Sequence, residues 1–118
     1  MKVLVTGGLG FIGSNFILKA LNENKDFSVI NVDAELQGSN HKNLGIIKND
    51  ERYSFVKGNI TNKNLMEELI SKVDAVINFA AESFVDRSIL DANPFLISNI
   101  RGTYTILELI KDRKSTRL

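Results

Sequence analysis

The 118-residue chain has no cysteine, one proline and one histidine. Without cysteine there can be no disulfide, no thiol nucleophile and no thiolate metal site, which suits a reducing cytoplasm. The histidine, His41, stands in a polar loop and reads as a solvated residue, so no metal site is expected. An excess of one charge is also all there is, with 15 Lys and Arg against 14 Asp and Glu. So small a net charge creates no large field, and neither nucleic acid nor an anionic membrane is an expected partner. Long apolar runs are missing too. The Lys2 start leads into a five-residue strand, far short of a secretory or membrane-spanning segment. No internal repeat or low-complexity tract is present.

What remains is ordinary globular composition, 43% hydrophobic and 25% charged. The length gives room for one domain and one core, but hardly for a two-domain enzyme.

The most informative stretch is the start. Val3-Leu4-Val5 reads as a buried strand that ends in Thr6-Gly7-Gly8-Leu9-Gly10-Phe11-Ile12-Gly13. Phe11, Ile12, Phe16, Ile17, Ala20 and Leu21 then recur at helical spacing. The first N–H groups of such a helix lack intrahelical partners and attract an anion. Gly7 or Gly8 permits the sharp turn, Gly10 lets a pyrophosphate approach the backbone, and Gly13 lets the helix sit close on the strand. A glycine turn between a strand and a helix therefore predicts dinucleotide binding.

A second strand is expected over Phe27 to Val32, closing at Asp33, twenty residues after Gly13. A carboxylate at this place accepts hydrogen bonds from the adenosine ribose and repels a 2′-phosphate, which predicts NAD as the cofactor. Residues 34–52 are polar and predict a long connection carrying a short helix, with Leu44, Ile46 and Ile47 as its apolar patch. Tyr53 to Val56 forms the third strand, after which Asn59 either reaches the adenine edge or serves as half of a Gly58-Asn59 turn. Thr61 is the expected cap of a helix with Leu65, Met66, Leu69, Ile70 and Val73 on its buried face. Asp74 to Phe79 is the fourth strand, and the small pair Ala80-Ala81 leaves space for a ligand to cross its end. Asn93-Pro94 opens a last helix reaching Lys111, with Leu96, Ile100, Thr103, Leu107 and Ile110 as its stripe. The expected fold class is α/β: a doubly wound parallel sheet of the Rossmann type, strand order 3-2-1-4, filling residues 1–111. Residues 112–118 read as a frayed tail, a shifted reading frame or a cloning scar.

TGGLGFIG at Thr6 to Gly13, Asp33, GNI at Gly58 to Ile60 and FAAESFVDRSI at Phe79 to Ile89 resemble the extended short-chain dehydrogenase/reductase family. The Ala-Ala-Glu-Ser and Val-Asp-Arg-Ser block is most similar to its nucleotide-sugar 4,6-dehydratases, whose substrate is dTDP-glucose. The resemblance implies that Phe11 and Ile12 contact the pyrophosphate of NAD, that Asp33, Ala34, Glu35 and Leu36 contact the adenosine ribose, and that Asn59 and Ile60 contact the adenine. It also implies that Phe79, Ala80, Ala81, Glu82 and Ser83 line the nicotinamide end, with Ser83 reaching the sugar, and that Ser98 approaches from the last helix. Relatives carry Asp at the place of Asn59, His at Phe84 and an aliphatic residue at Arg101. Asp86-Arg87 reads as a local ion pair that fixes its loop.

The family's reaction moves a hydride from sugar C4 to NAD, expels water, and returns the hydride to C6. The resemblance implies that its Thr-Asp-Glu and Tyr-x-x-x-Lys segments lie beyond Leu118, so no catalytic residue is expected here and the chain alone is expected to be inactive. Tyr53 to Lys57 matches Tyr-x-x-x-Lys as text, but on a strand the two side chains stand about 13 Å apart at about 3.3 Å per residue, too far for Lys57 to tune the phenol. Another nucleotide-sugar enzyme such as a 4-epimerase, or a free-standing dinucleotide-binding module, would share the glycine turn. With order 3-2-1-4 the fourth strand is an open edge, which predicts a homo-oligomer formed through it.

Overall fold

The computed structural model describes residues 1–36, 39–80 and 103–111. In them β1 (Lys2–Thr6), β2 (Ser28–Asp33), β3 (Tyr53–Lys57) and β4 (Ala75–Asn78) form one sheet in the order β3-β2-β1-β4. All three pairings are parallel. This is the expected doubly wound α/β sheet. Parallel strands need crossovers, and these are α1 (Phe11–Glu23) between β1 and β2 and α2 (Lys63–Ser71) between β3 and β4. A 3-10 segment (His41–Ile47) lies in the long β2–β3 connection, and α3 (Thr103–Lys111) follows β4.

Alternation along each strand divides the core into two layers. Val3, Val5 and Val29 point to a layer containing Leu9, Ile17 and Leu21 of the turn and α1, and Leu44 of the 3-10 segment. Leu4, Ile30, Val32 and Val76 point the other way, onto Met66, Leu69 and Ile70 of α2 and Ile106 and Leu109 of α3. Each strand is thus apolar on both sides, as a sheet covered on both faces requires.

Three details depart from the sequence expectations. Asn62, not Thr61, caps α2, accepting from the Leu65 N–H at 3.1 Å. Thr61 is already committed, since its N–H and hydroxyl both donate to Asn59 Oδ1, at 3.0 and 2.9 Å. On α1 the buried residues are Gly13, Ser14, Ile17, Ala20 and Leu21, whereas Phe11 and Ile12 face outward. On α3 the packed face is Ile106, Leu109 and Ile110, and Leu107 is exposed. The earlier part of that predicted helix, from Asn93-Pro94, lies outside the described residues, as do Phe84, Asp86, Arg87, Arg101 and the tail 112–118.

Candidate functional site

The carboxyl ends of the strands share one edge of the sheet: Thr6 pairs with Val32 and with Asn78, and Asp33 pairs with Lys57. The chain leaves β1 toward β2 on one side and β4 stands on the other, so the switch in strand order falls at β1. In open α/β sheets ligands bind outside the carboxyl ends at such a point.

There the turn takes its shape from glycine. Gly7 has φ +70°, and a Cβ on it would come within 2.7 Å of the Phe79 and Ala80 backbone. At Gly8 a Cβ would run into the Asn31 side chain, and at Gly13 it would lie 2.5 Å from the Gly7 carbonyl oxygen. Gly13 therefore seats α1 on the turn itself rather than on the strand. Gly10 differs: a Cβ there would meet nothing closer than 3.5 Å. The protein's own packing does not demand this glycine, whereas a ligand lying against the backbone would.

Gly10 is the N-cap of α1, and no side chain caps the helix. Ser14 N–H donates to the Gly10 carbonyl, but no described residue accepts from the N–H groups of Phe11, Ile12 or Gly13. Three donors at a helix start, carrying the positive end of the helix dipole, suit an anion. Around them Phe11 is 80% exposed and Ile12 68%.

Leu9 N–H is not among the free donors. It donates to Asp33 Oδ2 at 3.0 Å, and the Leu9 carbonyl accepts from Asn40 N–H and Asn43 Nδ2, at 3.0 and 3.1 Å. Asp33 Oδ1 accepts from Glu35 N–H at 2.7 Å and Ser39 Oγ at 2.9 Å. Asp33 is thus on the same side of the sheet as the turn, 6% exposed, with three donors of its own chain on its carboxylate.

Asn31, which the sequence reading missed, does similar work. Fully buried, it accepts from Gly8 N–H at 3.0 Å and donates to the Tyr53 hydroxyl at 3.1 Å. Its signal was visible: an amide in an apolar strand, in phase with Asp33. Burial raises the Tyr53 phenol above its ordinary pKa, partly offset by the Asn31 bond. Tyr53 and Lys57 make separate contacts, so the Tyr-x-x-x-Lys text match forms no dyad.

Beyond Asp33, Ala34 is half-buried and Leu36 exposed. Glu35 has φ +59° and forms ion pairs with His41 Nε2 and with Lys57 Nζ, the latter at 3.1 Å. Hydrogen bonds from His41 and Lys57 hold its carboxyl below the usual pKa. His41, expected to be merely solvated, also stands edge-on to Phe55 with centroids 4.7 Å apart. Asn59 spends Oδ1 on the Thr61 turn, and among the described residues its Nδ2 has no acceptor. Ile60 turns its side chain into the core, so only its main chain can face a ligand. Phe79 packs against Phe16 at 5.6 Å, and Ala80 N–H donates to Asn78 Oδ1 at 3.1 Å. Ala81, Glu82, Ser83 and Ser98 lie outside the described residues. A separate cleft of about 230 Å³ opens between the 3-10 segment and β3, lined by His41, Leu44, Lys48, Tyr53 and Phe55 among others.

The pattern of the GDP-mannose 4,6 dehydratase family matches residues 4–118. The chain belongs to that family. Within it, the chain is 43% identical over 118 residues to dTDP-glucose 4,6-dehydratase of Mycolicibacterium smegmatis, covering 100% of this chain and 35% of that enzyme. Among solved structures, dTDP-glucose 4,6-dehydratase of Bacillus anthracis in complex with NAD matches with TM-score 0.89 and 40% identity, over 100% of this chain and 36% of that one. A UDP-glucose 4-epimerase of Thermotoga maritima matches with TM-score 0.78 and 31% identity, over 92% and 33%. The chain therefore spans about a third of the length of these dehydratases, and it corresponds to their N-terminal part. Among the described residues, no helix is long and apolar enough to cross a membrane.

Proposed function

We propose that this chain is the NAD-binding part of a nucleotide-sugar 4,6-dehydratase acting on dTDP-glucose. The observation that carries the reading is the trio of N–H groups at Phe11, Ile12 and Gly13 with no acceptor among the described residues, opening on the strand-order switch beside Gly10, where the protein's own packing would tolerate a Cβ. Bound there, NAD would supply the hydride acceptor for the sugar.

The residues present fit the cofactor. Gly7 to Gly13 would hold the diphosphate, with Phe11 and Ile12 as apolar walls. Asp33 has about one acceptor position left for a ribose hydroxyl, since a carboxylate offers about four and three are taken. Ala34, Glu35 and Leu36 would border that ribose. Asn59 Nδ2 and the Ile60 main chain would face the adenine, while Phe79 and Ala80 would begin the nicotinamide wall. Ala81, Glu82, Ser83 and Ser98 complete the proposed set, with Ser83 reaching the sugar. The greater likeness to the dehydratase than to the epimerase supports the first over the second. The setting proposed is cytoplasmic, supported by the absence of cysteine. A homo-oligomer is also proposed, because β4 pairs only with β1 among the described residues; a clean monomer in light scattering at high concentration would count against it.

Titration calorimetry with NAD, on the chain and on Gly10→Val, tests the main reading. Binding that disappears in Gly10→Val supports it. Absence of binding, or equal binding by both proteins, overturns it.

A further inference from the structure

We propose that Glu35 acts with Asp33 in setting the preference of this site for NAD over NADP, by holding Lys57 away from a 2′-phosphate. The inference rests on the dinucleotide reading above. Asp33 is 6% exposed and turned inward, with Leu9 N–H, Glu35 N–H and Ser39 Oγ on its carboxylate. These donors are neutral, so its negative charge remains. Glu35 is the outward acid of the pair. Its left-handed backbone is unfavourable for a non-glycine residue, and in that conformation its carboxylate meets both Lys57 and His41.

Of these, Lys57 is the cation that a 2′-phosphate would seek, and His41 is a hydrogen-bonding neighbour. Lys57 stands opposite Asp33 in the β2–β3 register, and its side chain is 70% exposed; that of His41 is 57% exposed. Neither is fixed by burial, so either could turn to a phosphate. Glu35 occupies both of them and adds its own negative charge. A dinucleotide carrying the extra phosphate must draw Lys57 off the Glu35 carboxylate and approach that negative charge, while NAD meets neither obstacle. Removing the Glu35 charge releases both side chains and leaves Lys57 to accept a phosphate.

Titration calorimetry with NAD and with NADP decides the matter on the unaltered chain, Glu35→Gln, Lys57→Met, and the triple variant Glu35→Gln/Lys57→Met/His41→Gln. Glu35→Gln should move the affinity ratio toward NADP by roughly tenfold, as expected for exposed charges close to a phosphate. The triple variant should return the ratio to within about threefold of the unaltered chain, and the Glu35→Gln gain should shrink at high salt. Lys57→Met alone should not favour NADP. A ratio that stays put in Glu35→Gln, or a gain that survives loss of both Lys57 and His41, overturns the proposal while NAD binding by the unaltered chain leaves the dinucleotide reading standing. Binding of neither dinucleotide removes both.

Discussion

The Asp33 carboxylate accepts the Leu9 main-chain N–H at 3.0 Å, joining the end of β2 to the middle of the glycine turn. With Glu35 N–H and Ser39 Oγ on its other oxygen, the same side chain fixes the turn and the first residues of the β2–β3 connection together. Asp33→Ala should therefore cost about 2 kcal/mol of stability as well as dinucleotide affinity, because buried N–H donors lose their acceptor. Urea unfolding measures the first loss and calorimetry the second. Loss of affinity at unchanged stability would assign Asp33 to the ligand alone.

Gly7 and Gly10 should separate folding from binding. Gly7→Ala forces a Cβ onto the Phe79 and Ala80 backbone at a positive φ, and a loss of about 2 to 4 kcal/mol is expected. Gly10→Ala places its Cβ at ordinary contact distance, 3.5 Å from the Gly7 carbonyl oxygen, and should change stability by about 1 kcal/mol or less, while lowering NAD affinity. Thermal unfolding with and without NAD distinguishes the two. Equal destabilisation by both would mean that Gly10 serves packing.

Asn31 should matter more than its place in a strand suggests. Asn31→Leu leaves the Gly8 N–H and the Tyr53 hydroxyl without their buried partner and should cost about 2 to 3 kcal/mol. Tyr53→Phe removes only the far end of the relay and should cost about 1 kcal/mol or less. The reverse order in chemical denaturation would show that the amide does not support the turn.

The pH dependence of Glu35 has a definite sign. Its carboxyl is held below the ordinary range by hydrogen bonds from His41 and Lys57. The stability it contributes is therefore present above the ordinary carboxylate pKa and is lost as pH falls through the lowered folded-state value. A carboxyl-carbon NMR titration should find Glu35 protonating below ordinary glutamates, and Lys57→Met should move it back up. No movement would mean that His41 alone holds the charge.

The β1–turn–α1 unit was legible because glycine spacing, a β-branched run and helical periodicity agree over Lys2 to Glu23, and these are local properties of the chain. Parallel pairing followed from the same logic, since helices alternating with strands make crossovers, and the order 3-2-1-4 followed from the dinucleotide-binding fold that the glycine turn indicated. The site itself was only partly legible. Asp33 and the glycines could be found by their spacing, but the three donors on Asp33 come from Leu9, Glu35 and Ser39, and the role of Asn31 depends on Gly8 and Tyr53. Such contacts join residues far apart in the chain, which periodicity does not encode.

The order of residues alone determined a two-sided α/β sheet and a phosphate-sized turn at its start, because apolar alternation and glycine freedom act within a few residues. Only the tertiary structure decided which face of α3 is buried. Thr-Tyr-Thr-Ile-Leu-Glu-Leu-Ile offers two apolar stripes, and packing on α2 selects Ile106 and Leu109 while leaving Tyr104 and Leu107 outside. It also decided the division of labour between two acids two residues apart. The pleat and the positive φ at Glu35 turn Asp33 inward onto the turn and Glu35 outward onto Lys57 and His41, a difference that neither residue's identity contains.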